Sequence, residues 1–156
     1  YQDQRRFGEI LTTQHLEFSM QQAASSNGRM TILKDAEINL QSIASAAKNN
    51  DELALDALKE FGEILGILTI GVINLFNPEL IIMGGPVIDK CPMVLDSATR
   101  SAKADVLLIP AEVVKIKAGA LKNRAGTLGA VGMVLQDLFK PPIVNLATYR
   151  SLILPE

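Results

Sequence analysis

An asparagine followed by proline, a glutamate, four apolar residues and two glycines fixes the middle of this chain: Leu75-Phe-Asn-Pro-Glu-Leu-Ile-Ile-Met-Gly-Gly-Pro-Val-Ile88. Asn77 can close a preceding helix, and Pro78 cannot continue one, because its ring fixes φ and its nitrogen carries no donor. Leu80-Ile-Ile-Met83 is a short continuous apolar run, which predicts a strand buried on both faces in a parallel sheet. Gly84 and Gly85 end the strand, and Pro86 suits the first turn of another helix. Helix, strand, Gly-Gly turn and helix form a ligand-edge geometry in α/β sheets, where ligands bind beyond the carboxyl ends of strands. A Gly-Gly after a strand is nevertheless more often a tight turn than a binding loop.

Upstream of this stretch the periodicity predicts a helix over Glu9 to Ala24, ended by the turn cluster Ser25-Ser-Asn-Gly28. A short amphipathic helix follows from Asp35, read as its N-cap, to Lys48, with Ile38, Ile43, Ala46 and Ala47 near one face. Asn49-Asn50 breaks it. Asp51 then caps a helix reaching Phe76, about 39 Å long at 1.5 Å rise per residue. Up to Glu63 that helix is amphipathic, and beyond it is apolar nearly all round. Gly62, Gly66 and Gly71 each cost roughly 1 kcal/mol of helix propensity relative to Ala, which points to close helix crossings there. The run from Ile64 to Phe76 falls well below the roughly 20 apolar residues that cross a bilayer, so it reads as core.

Downstream, Val87 to Ala104 reads as a helix with Pro92 in its first turn or at a bend. A second strand is expected in two pieces, Val106–Ile109 and Val113–Lys117, followed by a glycine-rich helix over Ala118 to Leu135. In that helix Ala125, Gly126, Gly129, Ala130 and Met133 form a stripe suited to close approach. The alternative is that the N–H groups near Arg124 to Thr127 face an anion, which a helix N-terminus favours. Lys140 to Glu156, with three prolines, reads as an aperiodic surface tail.

Composition narrows the function classes. With 156 residues the chain can build one core and is too short for two complete domains. Fifteen Lys+Arg against seventeen Asp+Glu, with no basic run beyond Arg5-Arg6, argues against nucleic acid as a partner of this segment. Cys91 is the single cysteine and His15 the single histidine, which rules out an intrachain disulfide and any multi-cysteine or His-centred metal cluster. A reducing cytoplasm is compatible with that usage. Cys91 reads as a small buried hydrophobe, since no neighbouring His or Arg in sequence activates it. Asp35 and Glu37 read as partners of a helix dipole, not as catalytic carboxylates.

At Ile73-Asn-Leu-Phe-Asn-Pro-Glu-Leu-Ile-Ile-Met-Gly-Gly85 the sequence resembles the ROK family of bacterial sugar kinases and sugar-responsive transcriptional repressors, and Leu121-Lys-Asn-Arg-Ala-Gly-Thr-Leu-Gly-Ala130 resembles that family's C-terminal helix motif. The resemblance covers about residues 35 to 140. It implies an α/β fold, the C-terminal lobe of an actin-like ATPase (ribonuclease H-like), helix-rich with a short sheet, over residues 1–140, with 141–156 as a tail. Gly84 and Gly85 match the family's adenosine-side turn. Glu9 stands near the place of its sugar-contacting glutamate, although the surrounding Arg-Arg-Phe-Gly departs from the pattern.

Other family features do not occur. None of the eight Asp residues has Gly at the second following position, so the phosphate loop is absent, and the catalytic aspartate would belong to the other lobe. The cysteines of the family's zinc site do not occur in Tyr1 to Glu9. No catalytic residue and no metal ligand is therefore assigned. The expectation is a C-terminal piece of a larger protein, unable by itself to position phosphates and metal against a base.

Three functions follow from the resemblance. One is the effector-binding and oligomerisation part of a sugar-responsive regulator, meeting DNA only through an upstream helix-turn-helix and pairing with a second copy. Pro86 after the Gly-Gly and the C-terminal tail motivate it. Another is the nucleotide lobe of a glucokinase-like, ATP-dependent sugar kinase, the one case in which a cofactor, ATP, is expected. The third is an interaction module binding neither. A cytoplasmic location, no membrane and a sugar or sugar-phosphate effector belong to the first two.

Overall fold

The 25-residue helix α4 (Glu52–Phe76) is the axis on which the other described elements of its unit are arranged. The computed structural model describes residues 6–26, 30–34, 36–105 and 114–140, in two compact units, Tyr1–Asn123 and Arg124–Glu156. The first unit opens with α1 (Phe7–Ile10) and α2 (Thr13–Ser25), then α3 (Leu40–Lys48) and α4. Strand β1 (Leu80–Met83), helices α5 (Pro86–Lys90) and α6 (Pro92–Asp105), and strand β2 (Lys115–Ala118) complete its regular elements, and a 3-10 turn spans Lys122–Arg124. The second unit contains α7 (Ala125–Leu138).

Local side chains decide where these helices begin. The helix expected over 9–24 is two helices, because the Thr12 hydroxyl accepts the His15 N–H at 3.1 Å and restarts the chain as α2. The helix expected from Asp35 starts later: Asn39 is the N-cap of α3, its Oδ1 accepting the N–H groups of Gln41 and Ser42 at 3.0 Å, while the Ser42 hydroxyl accepts the Asn39 N–H. Asp35 itself lies outside the described residues, so its pairing with Glu37 does too. The break at Asn49-Asn50 is present, with Asn50 at φ +58°.

Asp51 caps α4 as expected and does a second job. One carboxylate oxygen accepts the Ala54 N–H at 3.0 Å, and the other accepts the Ile32 N–H at 2.8 Å, fastening the 30–34 segment to the start of the helix. Burial pushes the Asp51 carboxyl up, but the N–H groups of Ala54 and Ile32, the Thr31 hydroxyl and the Leu53 N–H outweigh it and hold its pKa below the usual value. A similar tie runs from α2 to α3, where Glu17 accepts the Leu40 N–H at 2.8 Å.

The main core lies between α2, α3, α4, α5 and α6, with Met20, Ile43, Leu58 and Val94 fully enclosed. A smaller cluster gathers Ile73, Ala102 and Val114 farther along α4. Among the described residues α4 and α6 form the most extensive helix pair. They meet closely because Gly62 and Gly66 carry no side chain: a Cβ at Gly62 would stand 2.6 Å from Ser97 Cβ, and one at Gly66 2.5 Å from Ser101 Cβ. Gly71, expected at a third crossing, has nothing within 4 Å of where its Cβ would be.

Asn77 closes α4 in the left-handed region at φ +44° with its N–H donating to the Ile73 carbonyl, and Pro78 turns the chain into β1. β1 and β2 pair in parallel, Leu80 beside Lys115 through Met83 beside Ala118. The expectation that β1 is buried on both faces is not met among the described residues: Met83 is buried and Ile81 half-buried, but Leu80 is 47% and Ile82 66% exposed. The one helix expected over 87–104 is two, α5 and α6, because Pro92 has no N–H to continue the first and instead opens the second, leaving Cys91 buried at the joint. The second strand's later piece is β2, and the earlier piece, Val106–Ile109, lies outside the described residues, as does the tail beyond 140. The last helix starts at Ala125, not Ala118, because the chain leaves β2 through Gly119 and a turn in which Lys122 takes φ +48°.

Candidate functional site

Parallel pairing brings two carboxyl-terminal loops side by side. β1 ends in Gly84-Gly85 and β2 in the turn from Gly119 to Asn123. The Gly119 N–H donates to the Met83 carbonyl at 2.8 Å, holding the second loop against the first. Gly119 also sits close enough that its Cβ would touch Ile82 and the Met83 carbonyl at about 3.5 Å. The two loops and α5 enclose a cleft of about 300 Å³ lined by Gly85, Pro86, Asp89, Lys90, Lys122 and Asn123.

Each lining residue has a local reason for its place. Gly85 takes φ +125°, a conformation that strains any residue with a Cβ, and it stands at the N-cap of α5 with Pro86 in the first turn. That turn of direction sets Asp89 and Lys90 on the same short helix above the strand end. Lys90 is held by a 2.6 Å hydrogen bond from Nζ to the Gln41 side-chain oxygen on α3. Lys122 enters the cleft from the other loop in a left-handed conformation, which costs a non-glycine residue of order 1 kcal/mol and persists because the surrounding turn holds it.

Two lysines, one aspartate and one asparagine line it, the Lys90 ammonium being engaged by Gln41, with no hydroxyl, thiol or imidazole among the lining residues. The set suits recognition of a polar or anionic ligand by hydrogen bonds and charge, and it lacks a nucleophile and base pair for covalent chemistry. Among the described residues no group of His, Cys, Asp or Glu could hold a metal ion, and no helix is long and apolar enough to cross a membrane.

The residues singled out from sequence separate here. Gly85 lines the cleft, whereas Gly84, one position earlier, is exposed, is not among the lining residues, and has open space where a Cβ would point. Glu9 is exposed in α1, where its carboxylate accepts the Arg6 N–H at 3.3 Å, and it does not line the cleft. Lys122 and Asn123 were hidden in the sequence because the glycine-rich helix was expected to contain them. The parallel partnership of β1 with Lys115–Ala118 is the fact that would have found them.

A model of the ROK family matches residues 9–137. The chain belongs to the ROK family. Its relatives include the xylose repressor of Bacillus subtilis (strain 168), 30% identical over 102 residues that make up 65% of this chain and 27% of that protein. The xylose repressor of Bacillus spizizenii is 31% identical over 103 residues, 66% of this chain and 27% of the repressor. The chain thus spans about a quarter of the length of the curated relatives it matches. Among solved structures, a putative sugar kinase from Cytophaga hutchinsonii superposes with a TM-score of 0.70 at 23% identity, over 79% of this chain and 42% of the kinase. A ROK family transcriptional regulator, a homologue of the E. coli MLC protein, superposes with a TM-score of 0.65 at 28% identity, over 75% of this chain and 31% of the regulator. The ROK chain therefore has an actin-like ATPase type of fold, helix-rich and with a two-stranded sheet among the described residues.

Proposed function

We propose that this ROK chain is the C-terminal, effector-side and oligomerisation part of a sugar-responsive transcriptional regulator. The likeness to xylose repressors carries the reading, since the alignments over about two thirds of the chain are to proteins named as repressors of that kind. In this reading residues 1–140 form the lobe and 141–156 a tail, DNA is met by a segment elsewhere in the protein, a second copy completes the regulator, and the protein works in the cytoplasm. Xylose is the effector to try first.

The cleft beside Gly85 supplies the second reading, the nucleotide lobe of an ATP-dependent sugar kinase, because Lys122 on its rim can bring positive charge to a phosphate. Gly84 and Gly85 would then lie against the adenosine and Glu9 against the sugar. Titration calorimetry of the full-length protein with xylose, glucose and ATP, paired with an operator-release assay, separates the two. The regulator reading expects sugar binding that weakens DNA binding at least tenfold, without ATP turnover. Sugar-dependent ATP hydrolysis, or no effect of any sugar on DNA binding, would overturn it.

A further inference from the structure

A further cleft, of about 160 Å³, opens where α3, α4 and the joint between α5 and α6 meet. Its floor is apolar: Ala44, Cys91 and the fully enclosed Leu58 are buried, and Ala47 and Met93 are half-buried. Its rim is cationic. Lys48 from the last turn of α3 and Lys90 from the end of α5 are exposed there, and no carboxylate lines the cleft.

That charge is not compensated locally. The Lys90 ammonium donates to the neutral side chain of Gln41 and so keeps its charge, and neither lysine forms an ion pair among the described residues. The cleft lies between the last turn of α3 and the first turn of α6, whose dipoles have opposite signs there, so the lysines set its potential. Burial raises the Cys91 pKa and both ammonium groups pull against it, which brings their field to the cleft floor. Two cations thus stand over an apolar hollow.

We infer that this cleft binds a small hydrophobic carboxylate, with one aromatic ring or a short alkyl chain on Ala47, Leu58 and Met93 and the carboxylate at Lys48 and Lys90. Volume limits the apolar part: about 160 Å³ is close to the roughly 150 Å³ of an apolar cavity that takes one benzene, and below the roughly 300 Å³ at which drug-sized pockets begin. Charge selects the acid. A neutral hydrocarbon gains nothing from the two ammonium groups, whereas a carboxylate accepts N–H bonds from them. A protein segment fits less well, because a hollow this small seats a single side chain and a specific interface needs roughly 800 Å² per partner. The cleft shares Lys90 with the one beside Gly85, and the inference does not rest on the sugar-responsive reading.

Benzoate is the probe, titrated into the full-length protein with isotope-labelled methionine methyls, the Met93 signal being assigned by Met93→Leu. A saturable Met93 shift with a Kd of about 1 mM is expected, the order that so small a ligand supplies. Benzyl alcohol, with the same ring and no charge, should bind about fivefold more weakly. Lys48→Gln should weaken benzoate by up to about fivefold and leave benzyl alcohol unchanged. Ala47→Leu fills the cleft and should abolish the benzoate shift. No saturable shift up to about 20 mM, as when another part of the polypeptide fills the cleft, would overturn the inference. So would equal binding of benzyl alcohol, benzoate binding indifferent to Lys48→Gln, or a benzoate shift retained by folded Ala47→Leu. If Ala47→Leu fails to fold, the exposed Lys48→Gln variant, compared between the two probes, decides.

Discussion

α4 meets its surroundings in two ways along one length. Over its first half and middle it is closed against α6, with Leu58 fully enclosed and Gly62 and Gly66 letting the two backbones touch through Ser97 and Ser101. Toward its end, among the described residues, only Thr69 and Ile73 are buried, and Leu75 and Phe76 stand 75% and 71% exposed. The second stretch is the more hydrophobic in sequence. In this chain the close crossing lies where Gly62 and Gly66 stand opposite Ser97 and Ser101, and the more hydrophobic stretch beyond it is the one with exposed side chains.

The comparison predicts a graded set of outcomes. Gly66→Ala places a Cβ 2.5 Å from Ser101 Cβ and 2.8 Å from the Ala98 carbonyl, so α6 must move and stability should fall by about 2–3 kcal/mol in urea unfolding. A loss under about 0.5 kcal/mol would show that the crossing is not close. Asp51→Ala removes the cap of α4 and the tie to Ile32 together, and should cost about 2 kcal/mol.

Because the folded Asp51 carboxyl lies below its ordinary value, its contribution is present above the unfolded carboxylate pKa of about 3.9 and is lost as pH falls through the lower folded value. The difference between wild type and Asp51→Ala should accordingly shrink below about pH 4, as followed by urea midpoints. The smallest effect belongs to Gly71→Ala, where nothing is met: helix propensity should raise stability by about 1 kcal/mol, and a loss would mean that the open stretch is covered after all.

Much of this architecture could be read from residue types with strong local chemistry. Asp51, Asn77, Pro78 and the apolar run of β1 gave the start and stop of the long helix and the strand after it, because caps and prolines act within a few residues. Thr12 and Asn39 were harder. Thr12 restarts a helix and Asn39 delays the start of one inside runs whose apolar spacing continues across them, and spacing alone cannot see a side-chain cap. The Gly85 side of the cleft was legible from the Gly-Gly turn. Lys122 and Asn123 were not, since they reach the cleft only through pairing between segments more than thirty residues apart. Gly71 misled for the same reason, as a glycine does not announce whether anything lies opposite it.

Cys91 sits at the joint between α5 and α6, 4% exposed, its thiol pushed up by burial against the opposing pull of Lys48 and Lys90. In this chain it is the single sulfhydryl. Any thiol reagent added to the chain therefore reads one place, and reads it as the packing of α3 and α4 around that joint opens. The rate of labelling becomes a clock for that opening, supplied by the native sequence without an introduced probe.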